Sequence, residues 1–215
     1  MTEQRTVHNP PSTSSPPRLA VEPMRVADIP EVLRIERASF PTPWSEVGYR
    51  RELTHNEFAH YFVLRLYPKR SRKRRGWPPL LTRQPGEIIG YTGYWLIADE
   101  AHITTLAVAP AWRRHGLGEW LLVHLLRDAI RRGASVATLE VRVSNRAAQR
   151  LYWKYHFERV GMRRRYYADG EDAILMTLTG LNSPEYRAFL AERRRALAEQ
   201  LGQVFRLDEP QNEGQ

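Results

Sequence analysis

The chain predicts an α/β fold, a single domain built on a mixed central sheet with helices on both faces. Three observations lead there. Strand-like and helix-like periodicities alternate through residues 21–180. A strand–helix–strand unit occupies residues 101–143, as a right-handed parallel crossover would. The runs 158–167 and 171–179 flank Asp169-Gly170, a turn signal for an antiparallel hairpin.

Each element follows from local chemistry. Asp28-Ile-Pro-Glu31 resembles a capping box with an early proline, and Val32, Leu33 and Ile35 continue it as a helix to about residue 39. Phe40-Pro-Thr-Pro-Trp-Ser45 breaks that helix, and Ser45 can cap a second, short one to residue 53. Residues 61–67 alternate as a strand. Residues 68–86, with Pro78-Pro79, read as a long loop. Two strands follow at 87–96 and 101–108, joined by a turn at Asp99-Glu100. From Leu117 to Arg131, Leu121, Leu122, Leu125, Leu126 and Ala129 fall at helical spacing, and Gly133 stops the helix. A β-branched strand at 135–143 leads to a helix that Asn145 starts, with Ala148, Leu151, Tyr152 and Tyr155 on one face. After the hairpin, Ser183-Pro184-Glu185 begins a last amphipathic helix to about residue 201.

Composition bounds the function. A length of 215 residues supports one good core, and 42% hydrophobic with 27% charged residues is ordinary for a soluble protein. No apolar run approaches the roughly 20 residues of a membrane span. The start, MTEQRTVHNPPSTSSPPR, carries no hydrophobic signal core, which agrees with a cytoplasmic protein. Cysteine is absent, which excludes disulfides, thiolate metal sites and a cysteine nucleophile. The histidines form no metal-ligand spacing, so no metal is expected. Residues 1–20 read as a disordered Pro/Ser-rich tail, 21–180 as the folded domain, and 181–215 as a C-terminal helical extension and tail.

The net charge of +9 points to an acidic partner, either nucleic acid or a nucleotide-like ligand. Lys69, Arg70, Arg72, Lys73, Arg74 and Arg75 crowd into the long loop. A ribosome or RNA contact through residues 68–76 is one reading of them, and a solvated basic loop is the other. An RNA-binding module without catalysis finds no stacking motif or regular basic face in the chain.

Where a helix should begin, the stretch VAPAWRRHGLGEW places Gly116 and Gly118. Helix N-termini present free N–H groups and favour anions, so a phosphate site is one reading and a plain turn the other. The dinucleotide pattern G-x-G-x-x-G fails at Leu121, and the Gly-Lys-Ser/Thr of a P-loop is absent. Arg113-x-x-Gly116-x-Gly118, preceded by Val108-x-Pro110, does resemble the acetyl-CoA motif of the GNAT N-acetyltransferase superfamily. Further on stand Leu139-Glu140-Val141-Arg142-Val143-Ser144-Asn145, Ala148, Leu151-Tyr152 and Phe157. Together with Phe40-Pro-Thr-Pro-Trp-Ser-Glu46 and the segment 164–176, they resemble the RimI-type subfamily. That subfamily acetylates the N-terminal alanine of a small-subunit ribosomal protein. The resemblance covers about residues 22–179.

The resemblance implies a GNAT-like domain and a set of roles. Leu106, Ala107 and Val108 would offer backbone groups to the pantetheine arm of acetyl-CoA. Arg113 belongs to the motif, and Arg114, His115, Gly116, Leu117, Gly118 and Glu119 would form the pyrophosphate loop. Asn145 would also contact the cofactor, Glu140 would be the general base and Tyr152 the general acid. Tyr166 and Tyr167 would hold the acceptor peptide, although hairpin packing explains them almost equally well. Taken alone, a strand glutamate reads as a solvent-face carboxylate and Tyr152 as a core tyrosine. The acceptor implied is a protein N-terminus, with lysine side chains or small amines as the rival on the same scaffold. Three features depart from the family pattern. His156 stands where glycine is usual and implies a changed turn geometry. The basic loop and the helix after Ser183 both exceed the compact pattern.

Overall fold

A computed structural model describes residues 16–68 and 86–208. The basic segment 69–85 and the first residues of the expected tail, 1–15, lie outside that description. In chain order the elements are β1 (Arg18–Pro23), α1 (Ile29–Ser39), α2 (Glu46–His55), β2 (Ala59–Tyr67), β3 (Glu87–Ile97), β4 (Glu100–Val108), α3 (Leu117–Arg131), β5 (Val136–Arg142), α4 (Arg146–Lys154), β6 (Glu158–Arg163), β7 (Ala173–Leu178), α5 (Pro184–Gly202) and β8 (Arg206–Leu207). The strands form one sheet in the order β6-β7-β5-β4-β3-β2-β1-β8. Among the described residues only β4–β5 and β1–β8 pair in parallel.

Alternation along the strands sends apolar side chains to both faces, and helices cover each. One face buries Val32, Leu33 and Ile35 of α1 and Tyr49 of α2 against Tyr61, Val63 and Tyr91. The other buries Leu121, Leu122, Leu125 and Leu126 of α3 against Ile103, Leu139 and Val141. Truncating any such leucine to alanine would cost about 2–5 kcal/mol.

Polar caps fix where the helices begin. Ser45 Oγ accepts from Gly48 N at 3.0 Å, Asn145 Oδ1 from Ala148 N at 3.1 Å, and Ser183 Oγ from Tyr186 N at 3.1 Å. The expected capping box at Asp28 does not form on α1. Its carboxylate accepts instead from Arg25 N at 2.9 Å and from Arg65 Nη2 at 2.7 Å, tying the entry of α1 to β2.

Three expectations need correction. Residues 18–20, expected in the tail, are the start of β1, which pairs with β2 from Arg18↔Tyr67 to Pro23↔Phe62. The segment after residue 180 is no appendage, because Leu181, Tyr186, Leu190, Leu197, Leu201 and Phe205 belong to the α3-side core and β8 extends the sheet. The hairpin strand β6 ends at Arg163 and β7 begins at Ala173, so Tyr166 and Tyr167 stand in the connecting loop. A tight turn closes that loop, with Gly170 N donating to Tyr167 O at 2.8 Å.

One irregularity shapes the middle of the sheet. β4 pairs with β5 only from Glu100↔Val136 to Ile103↔Leu139. A bulge at Gly93/Tyr94 shifts the β3–β4 register at that level. Beyond it β4 runs on to Val108 beside β3, while β5 stays with β7 to Arg142↔Ala173. The two parallel strands therefore part, and the β5-facing backbone of residues 104–108 has no strand partner among the described residues.

Candidate active site

The parting strands open toward the start of α3. Gly116 is the residue before that helix, with φ 81 and no side-chain cap bond, and Arg114 is also left-handed at φ 68. None of the amides from Arg114 to Glu119 donates to an acceptor among the described residues; the next, Trp120 N, bonds Gly116 O at 2.9 Å. A run of unpaired N–H groups with left-handed residues at the positive end of a 15-residue helix has the geometry of a nest that could hold an anion. This fits a diphosphate.

The side chains of the loop are used differently from their expected roles. Arg113 Nε donates to Val108 O at 3.0 Å and Nη2 to Ser39 Oγ at 2.9 Å, so this arginine braces the end of β4 against α1. Glu119 accepts from Tyr155 Oη at 2.8 Å, Lys154 Nζ at 2.8 Å and Arg193 Nη2 at 2.7 Å. Burial would raise its carboxyl, but these three donors outweigh burial and hold it low. Its side chain is thus a pin joining α3, α4 and α5, and only its amide remains for a ligand. Arg114 and His115 are exposed, and His115 Nδ1 lies 3.3 Å from Trp112 O. Leu106, Ala107 and Val108 lie along the parted stretch of β4. The Asn145 carboxamide oxygen is occupied in capping α4.

Glu140 and Tyr152 lie on opposite faces of β5. Leu139 and Val141 enter the α3-side core with Tyr152, so alternation turns Glu140 to the α1–α2 face. The Glu140 side chain is only 10% exposed; Oε2 is 3.2 Å from His102 Nε2 and Oε1 is 3.1 Å from Arg163 Nη1. When His102 Nε2 carries a proton, its hydrogen bond to Oε2 holds the Glu140 carboxyl below the usual range against the opposing effect of burial, and Arg163 adds to the lowering. Tyr152 is 7% exposed, with its ring 5.5 Å from that of Phe157. Burial first, and Tyr167 second, raise its phenol, so it keeps its proton at neutral pH. The Tyr167 hydroxyl donates to Glu140 O at 3.5 Å. Burial pushes its own phenol up to about 12.

Two loops bracket Glu140, and Arg142 ties them together. Its Nη1 donates to Asp169 Oδ2 at 2.8 Å and Glu171 Oε2 at 2.7 Å, its Nη2 to Thr42 Oγ1 at 3.3 Å, and its guanidinium lies 3.8 Å over the Tyr167 ring. Tyr166 stands edge-on to Tyr167 at 5.1 Å and is exposed. Glu36 fixes the other loop, accepting from Trp44 N and Tyr49 Oη, both at 2.9 Å, and from Tyr91 Oη. Burial raises the Glu36 carboxyl. Sequence reasoning missed Arg142, Arg163, Glu36 and His102, whose partners lie on other strands and loops. A glutamate among the apolar positions of α1 was the one visible signal.

His156 keeps a left-handed backbone, at φ 63. The changed turn geometry expected there does not occur, because the imidazole stacks on Phe189 of α5 at 4.4 Å, with Tyr186 at 5.9 Å. Among the described residues no group of three or more histidines, aspartates or glutamates could hold a metal, and no helix is long and apolar enough to cross a membrane.

Comparison with known proteins gives the arrangement a family. The model of the acetyltransferase (GNAT) family matches residues 29–157. The chain belongs to the GNAT acetyltransferase family. It is an N-acetyltransferase. An Escherichia coli (strain K12) ribosomal protein bS18-alanine N-acetyltransferase is 32% identical over 161 residues, covering 74% of this chain and 95% of the relative. A Bacillus subtilis (strain 168) protein provisionally named as the same enzyme is 37% identical over 163 residues, covering 75% and 96%. The crystal structure of the Escherichia coli ribosomal-protein-S18-alanine N-acetyltransferase superposes with a TM-score of 0.60 at 31% identity, covering 75% of this chain and 94% of that one. An Arabidopsis thaliana NAA60 structure in complex with acetyl-CoA shares the fold of this GNAT chain, at a TM-score of 0.60 and 18% identity over 75% of this chain and 98% of that one.

Proposed function

We propose that this N-acetyltransferase transfers the acetyl group of acetyl-CoA to a protein N-terminus, specifically the N-terminal alanine of a small-subunit ribosomal protein. The parting of β4 and β5 carries the reading, since their pairing stops at Ile103↔Leu139, one residue before Glu140, and the amides of residues 114–119 are unpaired among the described residues. Relatives named for bS18-alanine acetylation support the acceptor. A ribosomal acceptor in turn implies a cytoplasmic location.

An N-terminal ammonium, with a pKa of roughly 7.7–8.0, must lose a proton before it attacks a thioester. Glu140 takes that proton, directly or through water, as the acceptor enters between the Thr42 and Tyr167 loops. A backbone N–H near Val108 stabilises the oxyanion. Tyr152 keeps its proton at neutral pH and gives it to the thiolate as the C–S bond breaks, and the second proton shed by the attacking nitrogen restores the phenol. With no cysteine in the chain, transfer is direct rather than through a cysteine acyl-enzyme. The leucine–valine end of β4 and the loop amides orient the pantetheine arm and the phosphates.

The test is incubation with acetyl-CoA and a library of peptides that vary in their first residue. Acetylation concentrated on alanine-initiated peptides supports the reading. Equal or better acetylation of lysine side chains in N-terminally blocked peptides refutes it. The proposal extends to the basic segment, whose cations from Lys69 to Arg75 would contact ribosomal RNA. Replacing them with glutamine should weaken ribosome co-sedimentation and reduce its salt slope by about 0.9 per lost phosphate contact. Activity on a short peptide should stay unchanged.

A further inference from the structure

His102 and its neighbours form a chain of hydrogen bonds that ends at Glu140. The Thr138 hydroxyl donates to Glu100 Oε1 at 2.5 Å, and an ionised carboxylate can only accept. The Thr138 oxygen therefore accepts from His102 Nδ1, 2.9 Å away, which places a proton on Nδ1. Nε2 then faces Glu140 Oε2 at 3.2 Å. Two bare lone pairs at that separation repel, and one proton between them makes the contact a hydrogen bond. The pair is thus built to gain a proton.

We propose that His102 is the proton-holding partner of Glu140, receiving on Nε2 the proton that Glu140 takes from the acceptor ammonium. The inference rests on the reading of Glu140 as the base. An N–H bond of the ammonium breaks as an O–H bond forms on Glu140. That O–H bond then breaks as the Nε2–H bond forms, leaving a neutral amine, a carboxylate and an imidazolium. Glu140 and, through Thr138, Glu100 balance the imidazolium charge. The His102 side chain is 28% exposed, so its proton can leave to water between turnovers.

The surroundings favour this division of labour. His102 is faced by Thr138 and Glu140 of β5 and Glu100 of β4, with the Trp95 ring of β3 at 6.0 Å. Trp95 Nε1 donates to Glu52 of α2 at 2.5 Å. Arg163 of β6 holds the other oxygen of Glu140, and the phenols of Tyr166 and Tyr167 lie beside that carboxylate. A carboxylate with one oxygen gripped by the Arg163 guanidinium is a poor store for a proton taken from an amine. With Nδ1 donating to Thr138, Nε2 is the open lone pair of the imidazole, where a second proton can bind. His102 is accordingly a positioning residue that acts through Glu140.

The experiment uses the full chain, one alanine-initiated peptide and rates from pH 6 to about 9.5, spanning the amine's titration. His102→Gln keeps an amide donor for Glu140 but cannot carry a proton. Its kcat should fall about 10²-fold near neutrality, at the low end for a proton-transfer group, with the KM for acetyl-CoA unchanged. The deficit should shrink as the amine deprotonates in solution, and added imidazole should restore His102→Gly. A purely structural role would lower the rate evenly across pH and ignore imidazole. If His102→Gln follows the wild-type profile, or His102→Gly ignores imidazole, while Glu140→Gln is impaired, the relay is overturned and the Glu140 base stands. A fully active Glu140→Gln overturns both.

Discussion

Replacing Gly116 with alanine separates what the glycine does for the fold from what it does for a ligand. The new Cβ would sit 3.6 Å from Gln200 Nε2 and 3.7 Å from Leu197 Cδ2, ordinary contact distances, so no clash arises. The cost comes from φ 81, a left-handed conformation that disfavours an L side chain by about 1–2 kcal/mol. For a chain of this size each kcal/mol moves Tm by about 2–4 °C, which gives a drop of roughly 2–8 °C. Relief of the strain by rotation toward negative φ would turn the unpaired amides away from a bound phosphate. Losing one such hydrogen bond to a charged group costs about 1.5–3 kcal/mol, or roughly a ten- to hundredfold rise in the Kd for acetyl-CoA. Gly118→Ala is the control, because its Cβ would meet Leu106 Cδ2 at 3.7 Å and Val108 Cγ2 at 3.8 Å without positive φ. It should leave Tm unchanged or higher. The assays are thermal melts and calorimetric titration. A folded Gly116→Ala protein that binds acetyl-CoA with wild-type affinity would refute the phosphate-nest reasoning, and an unchanged Tm would refute the strain.

Glu140→Gln and Tyr152→Phe should each lower kcat about 10²–10⁴-fold, with little change in acetyl-CoA affinity, as read from a pH–rate profile on one peptide. The glutamine variant should recover in part at high pH, and turnover within a few-fold of wild type would return both side chains to structural roles. Burial lowers His124 to about 4, so the unfolded chain takes up that proton first as pH falls. Stability should therefore drop between about pH 6.5 and 4, by up to about 3 kcal/mol, and His124→Leu should flatten that limb in denaturant titrations across pH. His156→Ala keeps the left-handed strain and loses the stack on Phe189, costing about 0.5–1.5 kcal/mol, whereas His156→Gly also relieves about 1–2 kcal/mol of strain and should melt near wild type. An alanine variant as stable as the parent would show that the stack contributes nothing.

The elements legible in the sequence are those whose boundaries are set by neighbouring residues. Helix α3 runs from Leu117 to Arg131 as expected, because Gly116 and Gly133 bound a leucine pattern of helical period. Ser45, Asn145 and Ser183 cap the helices assigned to them, since a cap bond spans only three residues. Strands β1 and β8 were illegible for the opposite reason. β8 has two residues, β1 begins next to Pro16-Pro17, and each exists through pairing with a distant segment. The site divides in the same way. Backbone positions such as Gly116 could be read from the motif, but side-chain partners could not. Nothing local to Arg113 or Glu119 says that one braces Val108 and Ser39 while the other pins Arg193. The pairing of His102 with Glu140 likewise depends on the β4–β5 register, which brings His102 opposite Thr138.

Two features that depart from the family pattern turn out to be physically one. The imidazole of His156 packs on Phe189 and near Tyr186, so the residue that replaces glycine is supported by the helix that exceeds the pattern. Along the same helix, Arg193 holds Glu119 in the first turn of α3, and Leu197 and Gln200 stand against Gly116. Beyond its end, Phe205 lies 6.3 Å from Trp112, whose ring is 6.4 Å from His115. Helix α5 therefore touches the turn after α4, the first turn of α3 and the loop of unpaired amides in succession. A nest of backbone donors is effective only if its geometry is held before the ligand arrives. In this chain the holding comes from α5, so substitutions at Phe189, Arg193 or Leu197 reach the amide loop without touching a bound phosphate.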